Sequence, residues 1–355
     1  MTKQAAEPNG QRHPAMTIAV LWDDSDHVVR QARPNRQGTA MAETMIKPFR
    51  LFAGTANPKL AKAIVAELKV PLGQCTVERF PDGEMSVRLN EPVREQDVFV
   101  VQPIAPPVND HLVELLLFAD ACRRAAARTI TALVPYLGYA RSDKRHGRRE
   151  AIGASMVAGL LQSAGISHMV TVDVHSPQIE GFFHVPVDSL TAVPTLCEAL
   201  EGHLPEHVVV VAPDVGAMHL ATEYAHRLQT SVIVLHKRRH SGTSTRVSHV
   251  VGDVRDRPCL IVDDMISTGG TIAESMDVLL DAGAAPSITV AATHGLFVKG
   301  ARDMMTHGAL KNIFVTDTIA ASIRDWPQLK VVSIAPLIAG ALRRFISNGS
   351  ISDLF

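Results

Sequence analysis

Asp263 and Asp264, followed closely by Ser267-Thr268-Gly269-Gly270-Thr271, are the residues of this chain whose types and spacing best suit chemistry. Paired carboxylates accept hydrogen bonds from sugar hydroxyls or hold a magnesium ion. A Gly-rich loop that opens a helix presents backbone N–H groups and a positive dipole end to a phosphate. Its glycines let the backbone approach closely. The elements that must position this stretch are legible around it. Cys259-Leu260-Ile261-Val262 predicts a buried parallel strand. Ile272, Met276, Leu279 and Leu280 recur at helical spacing, and Gly283 stands where a C-cap glycine belongs. The pattern of two aspartates and two glycines alone also fits an ordinary βα turn with an acidic cap, and the flanking strand and helix favour the sugar-phosphate cradle.

From Phe49 onward, short β-type runs alternate with helical patterns, the signature of an α/β chain with parallel sheets. Strands are predicted at Val98–Val101, Thr129–Val134, Met169–Val172, Val208–Ala212, Val232–Leu235, Leu260–Val262, Ile288–Ala292 and Ile313–Val315. Asn57-Pro58 predicts an N-cap and first-turn proline for a helix with Leu60, Ile64, Val65 and Leu68 on one face. Asn109 is expected to open a helix to about Ala126, and another spans Ile152–Ala164 and stops at Gly165. Two doubly wound units suit this count better than one, with a boundary near residues 185–195. Residues 1–47, rich in Gln, Arg, Asn and Pro, read as a poorly ordered extension, with Met16, Met41 and Met45 as alternative starts.

Ligands of open α/β sheets bind beyond the carboxyl ends of the strands. Here those ends carry Tyr136, Arg141, Ser142 and Asp143; Asp173 and His175; Asp214; Lys237, Arg238 and Arg239; and Asp263 and Asp264. Singly, His175 fits an interior histidine, Asp214 a helix cap, and Lys237–Arg239 a solvated edge. Together they suit phosphate chemistry on a sugar, with arginine and lysine neutralising polyphosphate and carboxylates holding Mg²⁺. No Walker A or kinase-type Gly-rich loop is present, so an ATP user would need another nucleotide site.

Composition narrows the classes. The 355 residues are 46% hydrophobic and 20% charged with a net charge of −1, which gives no general electrostatic case for nucleic acid or an anionic membrane. The four cysteines (Cys75, Cys122, Cys197, Cys259) have no metal spacing and read as buried thiols of a cytoplasmic protein. No apolar run reaches the ~20 residues that span a bilayer.

In order along the chain, Arg79–Glu84 (RFPDGE), Asn109–Leu117, Pro135–Asp143 (PYLGYARSD), Asp173–Phe183 (DVHSPQIEGFF), Ala212–Gly216, His236–Arg239 (HKRR), Val251–Arg257, Val262–Thr271 (VDDMISTGGT), Thr293–Phe297 (THGLF) and Ser350–Phe355 (SISDLF) resemble the ribose-phosphate pyrophosphokinases, or PRPP synthases, from Leu51 to the last residue. The resemblance implies two similar α/β domains of the type I phosphoribosyltransferase fold, residues 48–190 with the tail 345–355 and residues 191–344. It implies a cytoplasmic homo-oligomer, dimer-based or hexameric, with no nucleic acid or membrane partner. It implies transfer of the diphosphoryl group of Mg-ATP to the C1 hydroxyl of ribose 5-phosphate, giving PRPP and AMP. Carried over by position, Asp263, Asp264, Ser267, Thr268, Gly269, Gly270 and Thr271 would hold ribose 5-phosphate. Lys237 and Arg239, on a mobile loop, would be catalytic. His175 and Asp214 would be magnesium ligands. Phe80, Asp82, Glu84, Arg141, Ser142, Asp143 and His175 would serve ATP, the first three across a subunit boundary. Ser142, His146, Arg148 and Ser267 depart from the commonest pattern, as do Phe297–Gly300 and the stretch after Arg239. With the extra N-terminus, these departures motivate the alternative of a non-catalytic, synthase-like regulatory subunit. A PRPP-consuming transferase, which Ser267 fits, would need only one such domain.

Overall fold

The alternating pattern resolves into two parallel sheets and a hairpin. A computed structural model describes residues 48–352 except 146, 240–244, 322 and 324, and except the side chains of 237–239 and 245–249. The expected extension 1–47, His146 and the last residues of the terminal motif lie outside the described residues. The first part of the chain forms β1 (Phe49–Ala53), α1 (Pro58–Leu68), β2 (Cys75–Arg79), β3 (Met85–Leu89), β4 (Asp97–Val101), α2 (Val108–Arg124), β5 (Thr129–Val134), α3 (Gly153–Ala164), β6 (His168–Val172) and β7 (Val187–Leu190). The rest forms α4 (Val193–Leu200), β8 (Val209–Ala212), α5 (Met218–Leu228), β9 (Val232–Arg239), β10 (Thr245–Val251), β11 (Cys259–Ile266), α6 (Gly270–Asp281), β12 (Ile288–Gly295), α7 (Ala301–Met304), β13 (Leu310–Thr316), β14 (Leu329–Val332) and α8 (Ala335–Ser347).

The first sheet is 5-stranded in the order β1-β4-β5-β6-β7, all parallel. The second is 7-stranded in the order β10-β9-β8-β11-β12-β13-β14, parallel except for the β9–β10 edge pair. The apolar runs of β4, β5, β8 and β11 fill the sheet centres, as two-sided burial requires. The chain leaves the first sheet at Leu190 and reaches α4 at Val193.

One apolar core joins the two sheets. Leu51, Phe99, Leu133 and Val172 of the first and Val210, Leu260, Ala291 and Phe314 of the second pack with residues of α1, α4, α5 and α8. Helix α1 forms as its sequence dictates: the Asn57 side chain accepts from Leu60 N at 3.2 Å, Pro58 opens the helix, and Leu60, Ile64 and Val65 are buried. Asn57 also donates to the Asp317 carbonyl at 2.7 Å, tying α1 to the second sheet. Helix α8 returns to the first sheet, where Arg343 donates to the Glu67 carbonyl and the Phe345 ring meets His168 edge-on.

Three local expectations are corrected. Helix α2 starts behind Pro107, so Asn109 lies inside its first turn and accepts from the Tyr139 hydroxyl at 2.5 Å instead of capping. Strand β11 runs on to Ile266, because β12 continues the ladder past the apolar run through Asp263↔Ala292 and Met265↔His294. Strand β9 runs on to Arg239, because β10 pairs with it antiparallel, Lys237 opposite Val247 and Arg239 opposite Thr245.

Candidate active site

The loop after β11 is shaped by one obligatory glycine. Gly269 has φ +80°, and a Cβ there would stand 2.5 Å from Met305 Cγ and 3.2 Å from the Ala301 carbonyl. Gly270, by contrast, would meet only Thr268 Oγ1, at 3.6 Å. Gly269 therefore seats the loop on α7 and delivers it into α6, whose first-turn N–H groups no helix can satisfy internally. Thr268 Oγ1 is a long 3.4 Å from Gly270 N, and the half-buried Ser267 holds the loop through its carbonyl, which accepts from Val298 N at 3.1 Å. Gly269→Ala is expected to cost about 1–3 kcal/mol of stability through its strained backbone alone, and Gly270→Ala to leave the melting temperature within about a degree. Thermal unfolding of the two variants checks both.

The two carboxylates lie on β11 itself and sit in opposite electrostatic states. Burial, then the charge of Asp264 beside it and that of Asp214, push Asp263 well above the usual carboxylate range. Burial acts on Asp264 in the same sense, but the hydrogen bond and charge of His175 outweigh it and hold Asp264 below its ordinary value. His175 Nδ1 stands 2.6 Å from Asp264 Oδ2, and that bond raises the imidazole in turn. The pair is therefore asymmetric: its surroundings favour the proton on Asp263 and the negative charge on Asp264, beside His175. His175 comes from the loop after β6, so this bond spans the two sheets.

The other predicted residues divide. Arg141 and Asp143 act electrostatically on His175, and Arg141 on Tyr136, so the end of β5 faces the same place. Ser142 is committed to α3: its hydroxyl accepts from Gly153 N at 2.9 Å and its carbonyl from Ala154 N at 3.1 Å. Asp214 accepts from Gly216 N at 2.8 Å and Ala217 N at 3.2 Å, an Asx turn leading into α5. Phe80, Asp82 and Glu84 form the β2–β3 turn, in which Asp82 accepts from Glu84 N and the Phe80 ring is 45% exposed. The Arg79–Asp110 ion pair at 2.7 Å docks that hairpin on α2. Among the described residues its side chains bond to α2 through Asp110, whereas His175 bonds to Asp264. The side chains of Lys237 and Arg239 lie outside the described residues, but their backbone is placed. Val234 pairs with Ala212, so Lys237 projects beyond the carboxyl edge of the sheet, the edge that also carries Asp214 and Asp263. Sequence reasoning placed Asp173 among the polar strand ends but gave no role to Thr293 or His294, and all three meet at this junction.

A magnesium ion with a polyphosphate needs only one or two protein carboxylates, the phosphates and water supplying the rest. Among the described residues no group of three or more His, Cys, Asp or Glu is arranged to enclose a metal. The donor set fits that sparser demand: Asp214 offers carboxylate oxygen, and His175 is oriented through Nδ1 by a carboxylate, which leaves Nε2 as its ligating atom. No described helix is long and apolar enough to cross a membrane.

Fold and site together define a phosphoribosyltransferase-like α/β protein with two parallel sheets and a Gly-rich strand–loop–helix at the carboxyl edge of the second. Residues 49–165 match the N-terminal domain of ribose phosphate pyrophosphokinase, and residues 247–355 match the phosphoribosyl synthetase-associated domain. The chain is 42% identical over 311 residues to the ribose-phosphate pyrophosphokinase of Thermotoga maritima, covering 86% of this chain and 98% of that one. It is 41% identical over 310 residues to that of Brucella melitensis, covering 86% and 100%. The crystal structure of phosphoribosylpyrophosphate synthetase from Mycobacterium smegmatis superposes with a TM-score of 0.80 at 41% identity, covering 85% of this chain and all of that one. The chain belongs to the ribose-phosphate pyrophosphokinase family.

Proposed function

We propose that this protein transfers the β,γ-diphosphoryl group of Mg-ATP to the C1 hydroxyl of ribose 5-phosphate, forming PRPP and AMP. In that step a bond forms between the sugar O1 and the β-phosphorus, the bond from that phosphorus to the α,β-bridging oxygen breaks, AMP leaves with that oxygen, and the hydroxyl proton is released. The observation that carries the reading is the His175–Asp264 bond, which joins the polar ends of the first sheet to the Gly-rich cradle of the second. Residues 267–271 and the N-terminus of α6 would receive the 5-phosphate, and Asp263 and Asp264 the ribose hydroxyls. The first-sheet residues Arg141 and Asp143 would face the nucleotide, with Phe80, Asp82 and Glu84 reaching it in an oligomer. Lys237 and Arg239 would neutralise charge on the transferring group. Mg²⁺, held by His175 and Asp214, would supply bridging charge neutralisation for the phosphates when bound.

Such a reaction needs positioning and electrostatics more than a protein nucleophile. The test is formation of AMP and PRPP in equal amounts from ATP and ribose 5-phosphate with Mg²⁺. The expected result is stoichiometric product formation that stops when Mg²⁺ is chelated. A folded protein that turns over neither substrate, with or without added phosphate, sinks the proposal.

A further inference from the structure

We infer that Asp173, Thr293 and His294 form a clamp that sets the His175 loop of the first sheet in register with the paired carboxylates of the second, making them positioning residues for the proposed reaction. Asp173 immediately follows β6 and takes a left-handed backbone, φ +39°, which an aspartate tolerates better than most residues. That conformation turns the chain out of the sheet toward His175. It is held from three sides. Asp173 Oδ2 accepts from Thr293 Oγ1 at 2.5 Å and from Ala192 N at 3.0 Å. The Asp173 carbonyl accepts from His294 Nε2 at 3.3 Å, and its own N–H donates to the Leu190 carbonyl at 2.9 Å.

Thr293 and His294 stand on β12, the strand paired with β11 beside Asp264. The result is a closed ring: Asp173 to Thr293, along the β12–β11 ladder to Asp264, across to His175, and back through Val174. A segment of three residues is thus anchored at both ends by side chains of neighbouring strands. The His294 ring is itself fixed. It is buried, which holds it below the usual histidine range, and only its Nε2 can donate to a carbonyl. Its Nδ1 then accepts from the Thr318 hydroxyl at 2.9 Å, and the Tyr136 ring meets it edge-on with centroids 5.0 Å apart. The Thr316 hydroxyl donates to the Thr293 carbonyl at 2.6 Å, so the assembly is braced from β13. A loop held this tightly keeps the nucleotide side and the sugar side at one separation, where a displacement of about 1 Å costs about 100-fold in rate.

The kinetic arm of the test rests on the proposed diphosphoryl transfer; the exchange arm does not. Thr293→Val keeps the shape of the side chain and removes the donor, whereas Thr293→Ser keeps the donor. Thr293→Val is expected to lower kcat by about ten- to 100-fold, with binary dissociation constants for ATP and for ribose 5-phosphate each within about threefold, while Thr293→Ser stays near wild type. Amide exchange in residues 174–178 of the ligand-free full chain should accelerate in Thr293→Val and not in Thr293→Ser. Equal kcat and equal exchange in the two variants would overturn the clamp, as would loss of both binary affinities with kcat unchanged. If Thr293→Val does not fold, Asp173→Asn is read by the same measurements. If the wild-type protein transfers no diphosphoryl group, the proposed function fails and the exchange comparison still decides the clamp.

Discussion

Lys237→Ala is expected to lower turnover by about a thousandfold or more while leaving the dissociation constant of ribose 5-phosphate within about threefold. The magnitude follows from what a cation beside a transferring phosphoryl-type group does: it neutralises charge that grows between ground and transition state. The selectivity follows from placement. Val234 is the last residue of β9 paired with β8, so Lys237 lies about 10 Å further along an extended strand. It rises beyond the carboxyl edge, on the side of the sheet away from the Gly269–Thr271 turn, since β8 separates β9 from β11. In the proposed reaction a residue at that backbone position would serve the polyphosphate and not the sugar's 5-phosphate. Pre-steady-state product formation at saturating ATP, with equilibrium binding of ribose 5-phosphate, checks both halves. Weak sugar binding at unchanged turnover would remove Lys237 from this role.

The same strand shows where sequence reading stops. Val232–Leu235 is an apolar β-type run and was legible as a strand; His236-Lys237-Arg238-Arg239 is not, because four polar residues break the alternation. What continues β9 is an edge partner, β10, and pairing at an edge needs no apolar face. Asp263–Ile266 stayed hidden for the same reason, with β12 as the partner. Thr129–Val134, fully enclosed by β4 and β6, was legible to the residue. The Gly-rich loop was legible because glycine at positive φ and a helix start are both local signals, and Gly269 has the close packing that makes it obligatory. Asp173 stood out as a polar strand end, but its partner did not: Thr293 lies 120 residues away, and one hydroxyl in an apolar strand resembles any buried threonine. Asn109 misled because a good capping residue followed Pro107, which already occupies the cap position.

Asp263→Asn is expected to cut kcat/KM for ribose 5-phosphate by about 100-fold or more and, at the same time, to leave the ligand-free protein as stable as wild type or more so. The functional loss follows from the proposed role: a carboxylate that would accept hydrogen bonds from ribose hydroxyls is replaced by a neutral amide, and a hydroxyl loses its charged acceptor. The stability half follows from the sign of the pKa shift. Burial, with the charges of Asp264 and Asp214, raises Asp263 above its unfolded value. The folded protein then holds a proton that the unfolded chain releases, so this group's favourable contribution is complete below the unfolded pKa and drains away as pH rises toward the folded one. Asparagine mimics the protonated carboxyl without needing the proton. The melting temperature of Asp263→Asn relative to wild type, measured with a chelator present, should therefore climb as pH is raised from about 4 toward neutrality. A difference that falls with pH would mean Asp263 is ionised in the resting fold and that the paired carboxylates do not share their charge unequally. The wild-type protein keeps a carboxylate whose ionised form is disfavoured at the carboxyl edge of β11, a cost that a ligand's hydroxyls or a cation meeting the pair would offset in the proposed reaction.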